Sequence, residues 1–185
     1  MIFAIHDCGF VARLAVEDTG GSEMRIDKIT RIIRESCYSI HDISRVEGAG
    51  PSNLPRFNMP FEAGLAMGAT RFESPASGQH RRDFLLLDAQ KYRDKQTLSD
   101  LAGQDSKAHD NQPEKMVSAV RGFLAAKAKP SRTRGAGALW GRYQSFSAAL
   151  PALCGAVDIT VDEMLSFGYI PEWIDAMAEW QRRPV

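Results

Sequence analysis

Phe84–Leu87 (FLLL), closed by Asp88, is the stretch on which the fold turns. A run this apolar has no polar side to show to water, so it suits a central parallel strand covered on both faces. Upstream, Tyr38–Ile43 (YSIHDI) reads as a short strand, and Val11–Val16 (VARLAV) alternates as a strand does. Downstream, Asp105–His109 reads as a short edge strand. Helical patterns separate these segments. In Met24–Ser36, Ile26, Ile29 and Ile33 fall at helical spacing, with Arg25, Lys28, Arg31, Arg34 and Glu35 outside. Met59–Ala69 has Asn58 to cap it, Pro60 in its first turn, and Gly64 and Gly68 on one face. Pro113–Lys127 places Met116, Val117, Val120, Phe123 and Leu124 in one stripe, with Asp110 or Asn111 as cap. Alternating strands and helices from residue 11 to 127 predict an α/β fold with a parallel sheet.

The rest of the chain is punctuated around this unit. Met1–Cys8 is apolar and reads as a helix end or a strand, and Asp18–Ser22 is turn chemistry. Gly48–Asn58 and Phe72–Arg82 read as loops, and Gln90–Gly103 mixes helix and turn. Lys129–Gly137 is a basic linker rich in Gly, Ser and Pro. Beyond it, Leu139–Trp180 reads as mostly helical, with one stripe of Trp140, Tyr143, Phe146 and Leu150 and another of Trp173, Ile174, Met177 and Trp180. The expected division is an α/β domain over 1–128, a linker over 129–138 and a helical extension over 139–185.

Bulk composition narrows the class. Lys plus Arg and Asp plus Glu number 23 each, so the chain lacks the basic footprint of a nucleic-acid binder. Cys8, Cys37 and Cys154 are odd in number and widely spaced, which gives no disulfide framework and fits a reducing cytoplasm. Neither they nor the scattered histidines form a metal-ligand pattern, so no metal and no resident cofactor is expected. No apolar run reaches membrane-spanning length, and the start carries His6 and Asp7 and no basic leader, unlike a signal peptide.

Ligands of parallel sheets bind beyond the carboxyl ends of the strands. That rule directs attention to Asp42, Ser44 and Arg45, to Asp88, and to the loop before Met59 with Arg56 and Asn58. Glu62, read as a first-turn residue, would be held ionised by the helix dipole. A carboxylate there suits a reaction that develops positive charge on a sugar, as cleavage of an N-glycosidic bond does. Asp42 would bind a ribose hydroxyl or a base edge, Arg45 and Arg56 phosphates, and Asn58 the sugar. Each has a plainer alternative. Glu62 compensates the helix dipole, Asp42 with Ser44 forms a turn, the arginines are solvated, and His41 is a structural histidine.

Ile40–Ser44 (IHDIS) and Arg56–Gly68 (RFNMPFEAGLAMG) resemble segments of the bacterial TIR-like predicted nucleotide-binding proteins. They are similar, more distantly, to those of nucleoside 2-deoxyribosyltransferases. The matching residues are Asn58, Phe61, Glu62 and Gly64. The resemblance implies a flavodoxin-like, doubly wound sheet, cleavage or transfer at an N-ribosyl bond, and Glu62 as the catalytic carboxylate. It covers residues 1 to about 127 and leaves the tail unexplained. Ala63 stands where these relatives have Leu, and the sequence is expected to open inside the relatives' first helix, after their usual first strand and its nucleotide loop. For a gene product that starts at Met1, the resemblance then implies either lost catalysis or a sheet completed by another chain.

Three functions are therefore expected as rivals. The first is an N-glycosidase or N-ribosyl transferase acting on NAD or a related nucleotide, in a bacterial stress or defence role that the resemblance implies. The second is a sensor that binds a nucleotide without turnover. The third is a self-associating interaction module whose tail tryptophans pack between copies in a homo-oligomer. Their alternative is to close the core of their own chain.

Overall fold

The computed structural model describes residues 1–17, 20–46, 54–72, 82–101, 103–128 and 133–182. Much of the expected loops 48–58 and 72–82, part of the 18–22 turn, His80 and residues 129–132 of the expected linker lie outside them.

The chain is a mixed α/β protein built on three parallel strands: β1 (Tyr38–Asp42), β2 (Asp83–Asp88) and β3 (Lys107–Ala108), side by side in that order. β2, the FLLL strand, is central, as its apolar run demands. Tyr38 pairs with Asp83 and Asp42 with Leu87, and the ladder continues through Leu87–Lys107. The order has no reversal among the described strands. Helices α1 (Ile2–Asp7) and α2 (Arg25–Glu35) precede β1, and α3 (Asn58–Phe72) connects β1 to β2. The short α4 (Asp94–Thr97) lies before β3, and α5 (Pro113–Ala125) follows it. The tail folds as α6 (Ala136–Gly155), α7 (Val161–Met164) and α8 (Ile170–Arg182).

Alternation along the strands sends side chains to two faces. Leu85 and Leu87, with Ile40 beside them, join one core with Phe3, Val120, Leu124, Leu139, Phe146 and Met177. Leu86 and Phe84 face the other way and meet Ile43, Ala63, Met59, Leu98 and Leu101. Helices therefore cover both faces of the sheet: α1, α5 and α6 on one, α3 on the other.

The tail closes the larger core. Phe146 is 1% exposed and its ring lies 5.5 Å from Phe3, 5.3 Å from Trp173 and 5.6 Å from Trp180. Both aromatic stripes thus pack within the chain. Buried Asp7 locks the arrangement, accepting a hydrogen bond from Arg142 Nε at 2.9 Å and from Gln181 Nε2 at 3.5 Å. A carboxylate shared by α1, α6 and α8 fixes their register more sharply than apolar contact alone.

Several local expectations are corrected. Val11–Val16 is not a strand. Its backbone donors are taken locally, Ala12 N–H by His6 Nε2 at 3.3 Å and Leu14 N–H by Glu17 Oε2 at 3.1 Å. A Leu14–Glu17 backbone hydrogen bond of 3.0 Å then closes a turn. Alternation without a neighbouring strand to pair with leaves such a segment to side-chain partners. Met1–Cys8 resolves as the helix α1. Neither Asp110 nor Asn111 caps α5; the cap is Gln112, and those two residues hold left-handed φ of 50° and 55°. Helix α6 begins at Ala136, inside the expected linker. The 105–109 strand shrinks to Lys107–Ala108.

Candidate functional site

Asp42, Asp88 and His109 stand at or just past the carboxyl ends of β1, β2 and β3. The parallel register brings them together. His109 N–H donates to Asp88 O at 2.9 Å, and His109 Nε2 lies 3.4 Å from Asp42 Oδ1. The other ring nitrogen, Nδ1, accepts the Asn111 N–H at 3.2 Å. A nitrogen accepting from a backbone amide carries no proton, so the neutral imidazole bears its hydrogen on Nε2, facing Asp42. His109 is 3% exposed and therefore fixes both the Asp42 carboxylate and the left-handed turn that leads into α5. Asp42 Oδ1 also accepts the Ser44 N–H at 3.0 Å, so the Asp42–Ser44 turn of the plainer reading is realised.

A second arrangement lies one residue along β2. Asp88 is fully buried, and its Oδ1 accepts the Ala89 N–H at 2.6 Å and pairs with Arg93 Nη2. The same guanidinium nitrogen donates to Ser44 O at 2.6 Å. Arg93 thus staples the loop after β1 to the loop after β2. Asp88 Oδ2 and both carboxylate oxygens of Asp94, itself fully buried, have no hydrogen-bond partner among the described residues. Buried acceptors without a partner are uncommon in folded proteins.

Glu62 sits on α3 beside Ala63, which packs against Ile43 and Leu86. Because α3 starts at Asn58, its first turn carries no acid and Glu62 lies past it, contrary to expectation. The helix dipole therefore does not hold Glu62 ionised. Burial raises the Glu62 pKa, and the nearby Arg25 guanidinium opposes that rise. Asn58 is the first residue of the helix rather than its cap, and it is exposed, as are Arg45 and Arg56. The structure therefore joins Asp42, Ser44 and Asp88 through His109 and Arg93, and leaves Arg45, Arg56 and Asn58 on the surface. Arg93, Asp94 and His109 escaped the sequence reading. The strand-end rule that selected Asp42 and Asp88 applies equally to His109, the residue directly after β3.

His41 lies on the α3 face of β1. Neither ring nitrogen has a hydrogen-bond partner among the described residues, and burial lowers its pKa from 6.5 to about 4. It is a buried neutral histidine. The unfolded chain takes up this proton near pH 6.5, the folded chain only near pH 4. Stability is hence full above that window and falls as pH drops through it, by about 3 kcal/mol at the lower edge. Urea titrations at pH 7 and pH 4.5 are expected to show a smaller acid loss in His41→Leu than in the parent. Equal losses would assign the acid sensitivity elsewhere.

A cavity of about 600 Å³ lies at the opposite, amino end of β2, lined by Thr70, Arg71, Arg82, Asp83, Gln104 and Lys127. Its charges serve the fold. Arg82 Nη1 donates to Ile33 O and Ser36 O, both at 2.6 Å, closing the end of α2, and Lys127 pairs with Asp83. None of the expected site residues lines it. Among the described residues, no helix is long and apolar enough to cross a membrane. Comparison with models of protein families, with curated proteins and with solved structures finds no match to this chain.

Proposed function

We propose that the chain binds a nucleotide at the carboxyl end of its sheet and cleaves the N-glycosidic bond, with NAD as the first substrate to test. The observation that carries this reading is the convergence of Asp42, Asp88, His109 and Arg93 on adjoining strand ends, with the half-buried Glu62 on the helix packed against the same strands. Asp42 would accept from a ribose hydroxyl. Glu62 would stabilise, or attack, the cation that develops at the anomeric carbon as nicotinamide departs neutral with the bonding pair; water then adds to that carbon, freeing Glu62, and its proton is released to solvent. Exposed Arg45, Arg56 and Asn58 would contact the phosphates and sugar. The reading includes a flavodoxin-like, doubly wound sheet, which helices on both faces of three parallel strands support.

Glu62→Gln tests it. Base release from NAD, followed by chromatography, is expected to fall by roughly 10²–10³-fold. Burial raises the Glu62 pKa, so ionisation costs the folded state stability once pH exceeds the ordinary carboxylate value. The neutral amide escapes that cost, so the variant is expected to be as stable as the parent at pH 7, or more so. Lost turnover with unchanged or raised melting temperature marks a functional carboxylate; parental turnover would end its catalytic assignment.

One observation favours a second reading, a sensor without turnover. Asp42 Oδ1 is already engaged by Ser44 and His109. In that case nucleotides raise the melting temperature while no base is released by the parent.

A further inference from the structure

The loop after β2 separates its charges. In Asp88–Lys95 (DAQKYRDK) both acids are fully buried, while Lys91, Tyr92 and Lys95 face solvent. Lys91 Nζ lies 4.8 Å and Lys95 Nζ 4.7 Å from the centre of the Tyr92 ring. Neither ammonium has a carboxylate partner among the described residues. Two like charges gathered on one exposed ring repel each other, and the ring quadrupole offsets only part of that.

The backbone beneath them is strained. Tyr92 adopts φ of 66°, the left-handed region in which a bulky side chain is uncommon. Arg93, the next residue, is held by Asp88, Ile43 O and Ser44 O, so the strain cannot relax by swinging the loop away. Strain of this kind persists where the surroundings over-determine it and gathers at ligand-contacting positions. The platform also stands one arginine side chain away from Ser44, next to Asp42.

We infer that Lys91, Tyr92 and Lys95 form an anion site for the diphosphate of a small nucleotide, with the two ammoniums on the phosphate oxygens and the tyrosine holding them apart from the buried acids. This inference rests on the nucleotide reading for its ligand, but inorganic pyrophosphate probes the site by itself. A zero formal net charge argues against a nucleic-acid backbone as the natural occupant.

The test is calorimetric titration at low ionic strength of the full chain with pyrophosphate, ATP and adenosine. Lys91→Ala/Lys95→Ala is expected to weaken pyrophosphate about tenfold and to cut the advantage of ATP over adenosine by a similar factor, leaving adenosine unchanged. Tyr92→Gly removes the strain and the platform together, so pyrophosphate should weaken while the melting temperature holds or rises. Lys115→Ala, which removes a surface ammonium elsewhere, is expected to leave pyrophosphate unaffected. Parental pyrophosphate affinity in the double variant, or an equal loss in Lys115→Ala, overturns the site. Pyrophosphate binding that depends on Lys91 and Lys95, with no adenosine binding in the parent, keeps the anion site and removes the nucleotide reading. Tighter binding of single-stranded RNA than of ATP would replace the small diphosphate as occupant and overturn the inference.

Discussion

Phe146→Ala is expected to lower the unfolding free energy by about 3–5 kcal/mol, a large share of the stability of any single domain. Phe146 is the buried ring at the centre of the aromatic cluster that joins the tail to α1. It stacks on Phe3 of α1 at 5.5 Å and meets Trp173 and Trp180 of α8 edge-on. At 1% exposure its removal leaves a cavity that three rigid aromatic neighbours cannot fill. Urea unfolding should follow a single transition by both tryptophan fluorescence and far-ultraviolet circular dichroism, with the midpoint shifted down in the variant. A change below about 1 kcal/mol, or two separated transitions in the parent, would mean that α6 and α8 fold apart from the sheet.

Asp88→Ala is the second large effect, expected at about 3–5 kcal/mol, because it strips the carboxylate from a guanidinium that is 12% exposed. It also leaves the Ala89 N–H without its acceptor, a hydrogen bond of 2.6 Å in the parent. Asp88→Leu/Arg93→Met removes both charges and should recover part of the loss. Recovery is incomplete because Ser44 O then loses its donor at 2.6 Å, unstitching the loops after β1 and β2. A double variant no better than Asp88→Ala would place the cost in the loop rather than in the ion pair. If Asp88→Ala costs less than about 1 kcal/mol, the buried pair contributes nothing that water does not replace.

What could be read beforehand was local. FLLL identified its strand because a continuous apolar run has nowhere to sit but between two covered faces. Helices α2 and α5 were legible from spacing, since a helix must place its apolar residues at i, i+3 and i+4 to bury one side, and α3 from Pro60 in its first turn with Gly64 and Gly68 on one face. Val11–Val16 failed for the complementary reason. Alternation states what a strand needs on its two faces, yet a ladder also needs a neighbour, and here Glu17 and His6 supply the hydrogen bonds. Capping of α5 failed because His109 Nδ1 takes the Asn111 N–H and draws the turn left-handed, an interaction set by where β3 ends.

The site divides along the same line. Asp42 and Asp88 were selected in advance because a strand's carboxyl end is where the chain leaves the sheet, and hydrophobic pattern alone locates that point. Periodicity could not show that His109 meets Asp42, which lies 67 residues away, or that Arg93 reaches back to Ser44. Those pairings depend on the parallel register of three strands, and register is fixed by cross-strand packing rather than by any one strand's pattern. The sequence by itself determined the parallel α/β class, the helical tail and the strand-end carboxylates, since each follows from residues within a few positions of one another. Only the tertiary structure decided that the tail shares the core of the sheet, that Glu62 lies half-buried past the first turn of α3, and that Asp42 and Asp88 are joined through His109 and Arg93. The physical reason is that these outcomes rest on burial and contact between segments far apart in the chain, which no local pattern encodes.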